Sequence, residues 1–141
     1  MVRYEVYLTV RCEDAQVAAG LAEGHISYSG PVGEGLFELR CLVISSNALE
    51  ELEHGLKDRG VAYDAVIWRD DEQAPAVVVR FRPPDTYAEV TLAGDVYLVD
   101  GRMYLAVDCL RALLSRPGRL RAALRRLIDE AEPVPSLGGA G

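Results

Sequence analysis

Residues 3–11, RYEVYLTVR, alternate without a break: Tyr4, Val6, Leu8 and Val10 stand between Arg3, Glu5, Tyr7, Thr9 and Arg11. Period-2 alternation sends the two sets to opposite faces of an extended strand. A chain that starts this way needs a sheet with one covered face and one wet face, which is the habit of antiparallel rather than parallel sheets.

The cover for that face comes next in the chain. Glu13 and Asp14 offer an N-cap to the short AQVAAGLAE, which Gly24 can stop. A second strand, HISYS, leads through GPVGEG into LFELRCLVI, where Phe37, Leu39, Cys41 and Val43 are expected on one face and Glu38 and Arg40 on the other. In SSNALEELEHGLKDRG, Asn47 occupies a favourable N-cap position with Glu50 three residues on, as in a capping box. Leu49, Leu52 and Leu56 form the apolar stripe of that helix, Arg59 sits in its last turn and Gly60 is its stop. The strand AYDAVIWR comes after it. The order strand, helix, strand, strand, helix, strand predicts a ferredoxin-like βαββαβ half over residues 1–70, an antiparallel sheet with two helices on one face.

After DDEQ the pattern changes to short strands, PAVVVRFR, TYAEVTL, DVYLV and RMYLAV, separated by turn residues. Asp100 and Gly101 between two alternating runs are a strong hairpin signal, because both positions must accept positive φ. A two-residue turn there would set Tyr97 opposite Tyr104. The chain closes with one helix from near Asp108 and another over 119–131, separated by a break at 115–118. The expected fold class is therefore α+β: the ferredoxin-like half, a β-meander, and two C-terminal helices. Residues 1–132 form one domain, with 75–132 as its meander and helical hairpin, and the Pro- and Gly-rich 133–141 is expected to be a flexible tail.

Charge is unevenly spread. The net charge is −7, and residues 1–72 hold 14 Asp+Glu against 6 Lys+Arg, whereas 73–141 hold 8 against 9. An acidic whole repels nucleic acid and anionic membranes at long range, so basic partners suit it better. Within the second half, Arg111, Arg116, Arg119, Arg121, Arg125 and Arg126 run from Asp108 to Asp129 with no carboxylate between. With Leu120 at zero on a helical wheel, Leu124, Leu127 and Ala131 fall within about 40°, and Arg119, Arg121, Arg125 and Arg126 flank them at roughly 100–140°.

Catalytic and metal patterns are missing from the sequence. HxxxH, HExxH, CxxC and GxSxG do not occur, and GPVGEG lacks the Lys and Ser/Thr of a phosphate loop. Cys12, Cys41 and Cys109, three and widely spaced, read as small buried apolar residues in a reducing compartment. No catalytic residue, metal or cofactor is expected, and the absence of a signal-like or spanning apolar run points to a cytoplasmic protein with no membrane contact.

Two surfaces remain. The first is acidic: Glu50, Glu51 and Glu53 on the second helix, with Asp70, Asp71 and Glu72 beside Trp68 as an apolar anchor. The second is the arginine set Arg116, Arg119, Arg121, Arg125 and Arg126, serving either as a docking element held by carboxylates of the acidic half or of a second subunit, or as a nucleic-acid contact. The leading expectation is a non-catalytic acidic interaction protein that binds and masks a basic protein or ribonucleoprotein, in the manner of small inhibitors encoded by phages and mobile elements, including anti-defence proteins, and of immunity-type proteins. A DNA-binding regulator acting through the arginine helix is the alternative, and a ferredoxin-like small-ligand sensor is a third. Homodimer formation through a strand edge or the last helix is compatible with all of them.

Overall fold

The computed structural model describes residues 3–69, 75–92, 96–99, 102–115 and 120–137. Strands β1 (Arg3–Arg11), β2 (Ile26–Pro31), β3 (Leu36–Ser45), β4 (Tyr63–Arg69), β5 (Val77–Arg82) and β6 (Thr86–Thr91) form one antiparallel sheet in the order β2-β3-β1-β4-β5-β6. Helices α1 (Ala15–Leu21) and α2 (Ser46–Asp58) connect β1 to β2 and β3 to β4. Strands β7 (Val96–Val99) and β8 (Arg102–Leu105) pair separately, and helices α3 (Val107–Leu114) and α4 (Leu120–Ala131) come after them. The meander therefore divides: its first two strands extend the large sheet, and its last two form a second small one. None of the helices among the described residues is long and apolar enough to cross a membrane.

One face of the sheet carries the core. Val6, Leu8 and Val10 of β1, Leu39 and Cys41 of β3, Tyr63, Ala65 and Ile67 of β4, and Val79 and Phe81 of β5 are buried against Ala18 and Ala22 from the α1 region and Leu49, Leu52 and Leu56 of α2. Each aliphatic side chain of Val or Leu size sealed this way contributes roughly 1.5–3 kcal/mol. The two helices also touch each other, and Gly55 leaves room for Leu21 there: a Cβ on it would meet Leu21 Cδ2 at 2.7 Å.

Simple alternation breaks at two bulges. Tyr4 pairs with Ile44 but Val6 pairs with Cys41, so β3 holds one extra residue and a bulge turns Ile44 into the core. Beyond the bulge Ile44 is buried, and the side chain of Val43, expected on the buried face, lies outside the described part of the structure. On β2, Ile26 pairs with Cys41 and Tyr28 with Arg40, so a second bulge places Tyr28 with Arg40 on the face away from the helices.

The start of α2 also departs from expectation. Ser45, not Asn47, is its N-cap, with Ser45 Oγ accepting from the Ala48 amide at 3.1 Å. The strand runs directly into the helix, so Asn47 already lies in the first turn and no capping box forms with Glu50. The C-terminus behaves as expected. Gly60 takes φ 64°, its amide donates to Lys57 O and the Val61 amide to Leu56 O, the paired bonds of a Schellman motif.

β7 and β8 pair with Val99 opposite Arg102 and Tyr97 opposite Tyr104, the register a two-residue turn dictates, although Asp100 and Gly101 lie outside the described residues. The expectation of a flexible tail fails for its first part. Val134 is buried, and residues 132–137 are tied to β4 and β5 by hydrogen bonds. The segment bends at Pro133 and Val134, and the sheet supplies the partners it cannot find within itself.

Candidate functional site

The helix layer holds most of the acidity. Residues 12–25 and 46–60 carry Glu13, Asp14, Glu23, Glu50, Glu51, Glu53 and Asp58 against Lys57 and Arg59, a net of −5 out of the chain's −7. Glu13, Glu23, Glu50, Glu51 and Asp58 are exposed. The two cations are engaged with other groups: Lys57 Nζ stands 4.2 Å from the Tyr87 ring centroid, and Arg59 Nη1 donates to Gly55 O at 3.2 Å.

Glu53 differs from its neighbours. It is half-buried at the edge of α2 and accepts from Tyr63 Oη at 2.9 Å. Burial pushes its carboxyl above the usual range, while the Tyr63 hydroxyl and Lys57 pull the other way. Burial and the same carboxylate push the Tyr63 phenol up strongly, and burial with Glu53 and Glu89 pushes Tyr87 up to about 12. Glu53 is thus a structural carboxylate, and Glu50 and Glu51 are the members of the expected set that face water.

Trp68 does not join them. On β4 it alternates with the core residues Ala65 and Ile67 and their shared face, so it lies on the opposite side of the sheet from α2. There it meets the Tyr7 ring edge-on, with centroids 4.7 Å apart, and Arg40 lies over both Tyr7 (4.6 Å) and Tyr28 (4.9 Å) while pairing with Glu38. The bulge in β2 brings Tyr28 into this cluster, which is why alternation alone does not reveal it. Asp70, Asp71 and Glu72 lie outside the described residues, so the structure joins only part of the expected acidic surface.

Arg126 pairs with Glu130 of its own helix at 3.0 Å, and Arg111 with Asp108 at 3.6 Å, both exposed. Arg121 and Arg125 are exposed beside Leu124, Ile128 and Asp129, which line one shallow recess with them. Arg116 and Arg119 lie outside the described residues. Val107, Leu110 and Leu114, spaced as one stripe of α3, are also exposed.

Ion pairs between the two halves of the chain occur elsewhere, at residues no sequence pattern singled out. Asp64 of β4 and Arg80 of β5 are register partners on the open face, and Arg82 is next along that face. Arg82 Nη2 donates to Asp64 Oδ1 at 2.8 Å, while its Nη1 donates to the carbonyls of Tyr63 (3.1 Å) and Phe81 (2.8 Å). Arg80, only 4% exposed, donates through Nη1 to Glu132 Oε1 and to Val134 O, both at 2.6 Å. Arg82 Nη2 also reaches Pro135 O at 2.7 Å, and the Leu137 amide donates to Asp64 Oδ2 at 2.8 Å. Val134 sits with Val78, Ala88, Val90, Met103 and Pro133 around a small recess on this face.

The cysteines divide. Cys41 is buried in the core, where desolvation pushes its thiol up, whereas Cys12 is exposed at the start of a 3-10 turn, contrary to the expectation that it is buried. The strand ends at Arg11 and the chain turns outward there, so the alternation that buries Val10 does not extend to Cys12. The side chain of Cys109 lies outside the described part of the structure. His54 is exposed and lies 3.1 Å from Asp58. Among the described residues no group of three His, Cys, Asp or Glu could hold a metal ion. Comparison with family models, with curated proteins and with solved structures finds no match.

Proposed function

We propose that this chain is a non-catalytic interaction protein with a ferredoxin-like first half, whose acidic helix layer binds and masks a basic partner, a nucleic-acid-binding protein or a ribonucleoprotein. The strand order β2-β3-β1-β4 with α1 and α2 on one face supports the ferredoxin-like reading. The observation that carries the function is the segregation of charge. Five of the seven net negative charges belong to one layer, and Glu50 and Glu51 face outward on its longer helix. A predominantly negative face of this kind steers an oppositely charged partner and sets its orientation more than it sets raw affinity. Inhibitors of the anti-defence and immunity kind act through such surfaces.

The test is a pull-down from host lysate with the native chain and with Glu50→Lys/Glu51→Lys, at low and moderate salt. The native chain should retain a basic protein that the double variant loses; retention of no basic protein by the native chain overturns the reading. A second reading, DNA binding by α4, draws on the exposed Arg121 and Arg125. It requires duplex retardation at low salt that disappears in Arg121→Ala/Arg125→Ala and falls steeply with added salt.

A further inference from the structure

We propose that Asp64, Arg80 and Arg82 form a binding site for an acidic, proline-containing peptide, which the chain's own residues 132–137 occupy in cis. Three features of the geometry lead there. The clamp is assembled by the sheet rather than by the segment it holds. Asp64 and Arg80 are cross-strand partners, and Arg82 is fixed by Asp64 and by the carbonyls of Tyr63 and Phe81.

The segment is recognised mostly through its main chain: the carbonyls of Val134 and Pro135 accept and the Leu137 amide donates. Any peptide main chain carries groups of those kinds. Side-chain selection comes from two positions, a carboxylate at Glu132 bound by Arg80 and an apolar side chain at Val134 buried beside Val78, Ala88 and Val90. Pro133 and Pro135 are exposed, so they act by restricting the backbone of the segment, which lowers the ordering cost of binding. The ligand so defined has an acid two residues before a small branched apolar residue, with prolines on either side of the latter.

The cis segment leaves one donor unused. Arg80 Nε is buried without a hydrogen-bond partner, 3.9 Å from Asp64 Oδ1. A buried, unmet donor carries a cost in the occupied state. A partner peptide with an acceptor at that point would meet it, so a ligand better than residues 132–137 is open to the site. Displacement must overcome the tether, whose effective concentration is on the order of millimolar for a short connection.

The probe is a synthetic peptide of sequence AEPVPSL, with AEPDPSL as control. In the full chain, millimolar AEPVPSL should accelerate hydrogen exchange at the Leu137 amide, and the control should not. A chain ending at Ala131, shown to be folded by circular dichroism, should bind labelled AEPVPSL at least about 10-fold more tightly than the full chain does, since the tether no longer competes. Asp64→Ala in that shortened chain should abolish the binding. Protection of Leu137 that persists at several times that millimolar concentration overturns the proposal, as does protection that depends on protein concentration, which would mark a second copy's tail as the occupant. The exchange experiment decides the matter even where the shortened chain does not fold.

Discussion

Asp64→Ala tests whether the open-face clamp is a structural bond between the two halves of the chain. The substitution removes the acceptor of Arg82 Nη2 at 2.8 Å, the acceptor of the Leu137 amide at 2.8 Å, and the countercharge 3.9 Å from Arg80 Nε. A hydrogen bond to a charged group is worth about 1.5–3 kcal/mol and a neutral one about 1 kcal/mol. Asp64 keeps 16% of its side chain in contact with solvent, which favours the lower end of the first figure. Adding a smaller penalty for Arg80, left with its charge less compensated, gives a loss of about 3 kcal/mol.

Urea unfolding followed by circular dichroism should show that loss as a lower midpoint with an unchanged slope. In a chain of this size it should also lower Tm by about 10 °C. Arg80→Met is the informative companion. It deletes two bonds at 2.6 Å and leaves Glu132 Oε1 and Val134 O without their donor, and should therefore cost at least as much as Asp64→Ala, after which Arg80 keeps both bonds and Arg82 keeps its carbonyl acceptors. A loss below about 1 kcal/mol for Asp64→Ala would refute the reasoning that the carboxylate holds the arginines in place.

Two further substitutions test local features. Ser45→Ala should destabilise by about 1 kcal/mol and Asn47→Ala by less than about 0.5 kcal/mol in the same assay, because only Ser45 accepts from a free amide of α2. Glu53 has a folded-state pKa raised by burial, so its contribution to stability is present below the ordinary carboxylate range and is lost as pH rises through the elevated value. Glu53→Gln should flatten the fall in stability between acidic and neutral pH; an unaltered pH profile would remove burial of this carboxylate as its cause.

Much of the first half was legible because its signals are local. Tyr4, Val6, Leu8 and Val10 alternate, Leu49, Leu52 and Leu56 recur at helical spacing, and Gly60 stops a helix through its own φ. Each pattern follows from the geometry of one backbone segment, so neighbours in sequence are enough to read it. The N-cap shifted from Asn47 to Ser45 because β3 continues to the helix without a loop, and a sequence window does not show where pairing with β1 ends. Ile44 and Tyr28 changed faces because bulges add single residues, and one residue inverts every side chain beyond it.

Trp68 and Asp64 show why the candidate site was only partly visible. As β4 residues of even number they both face away from the helices, so Trp68 stands with Tyr7 rather than with Glu50 and Glu51. Asp64 looked like one of many carboxylates; its role came from β5 lying beside β4 and from a tail more than 70 residues away returning across them. The arginines that were conspicuous in sequence, Arg121, Arg125 and Arg126, reach no carboxylate of the first half among the described residues, whereas Arg80 and Arg82, hidden in an apolar strand, do. Sequence by itself determined the elements, their order and the sign of the helix layer, all of them consequences of local periodicity and composition. Tertiary structure alone decided which charges meet, because that depends on strand order and register, and a difference of one strand or one residue reassigns every partner.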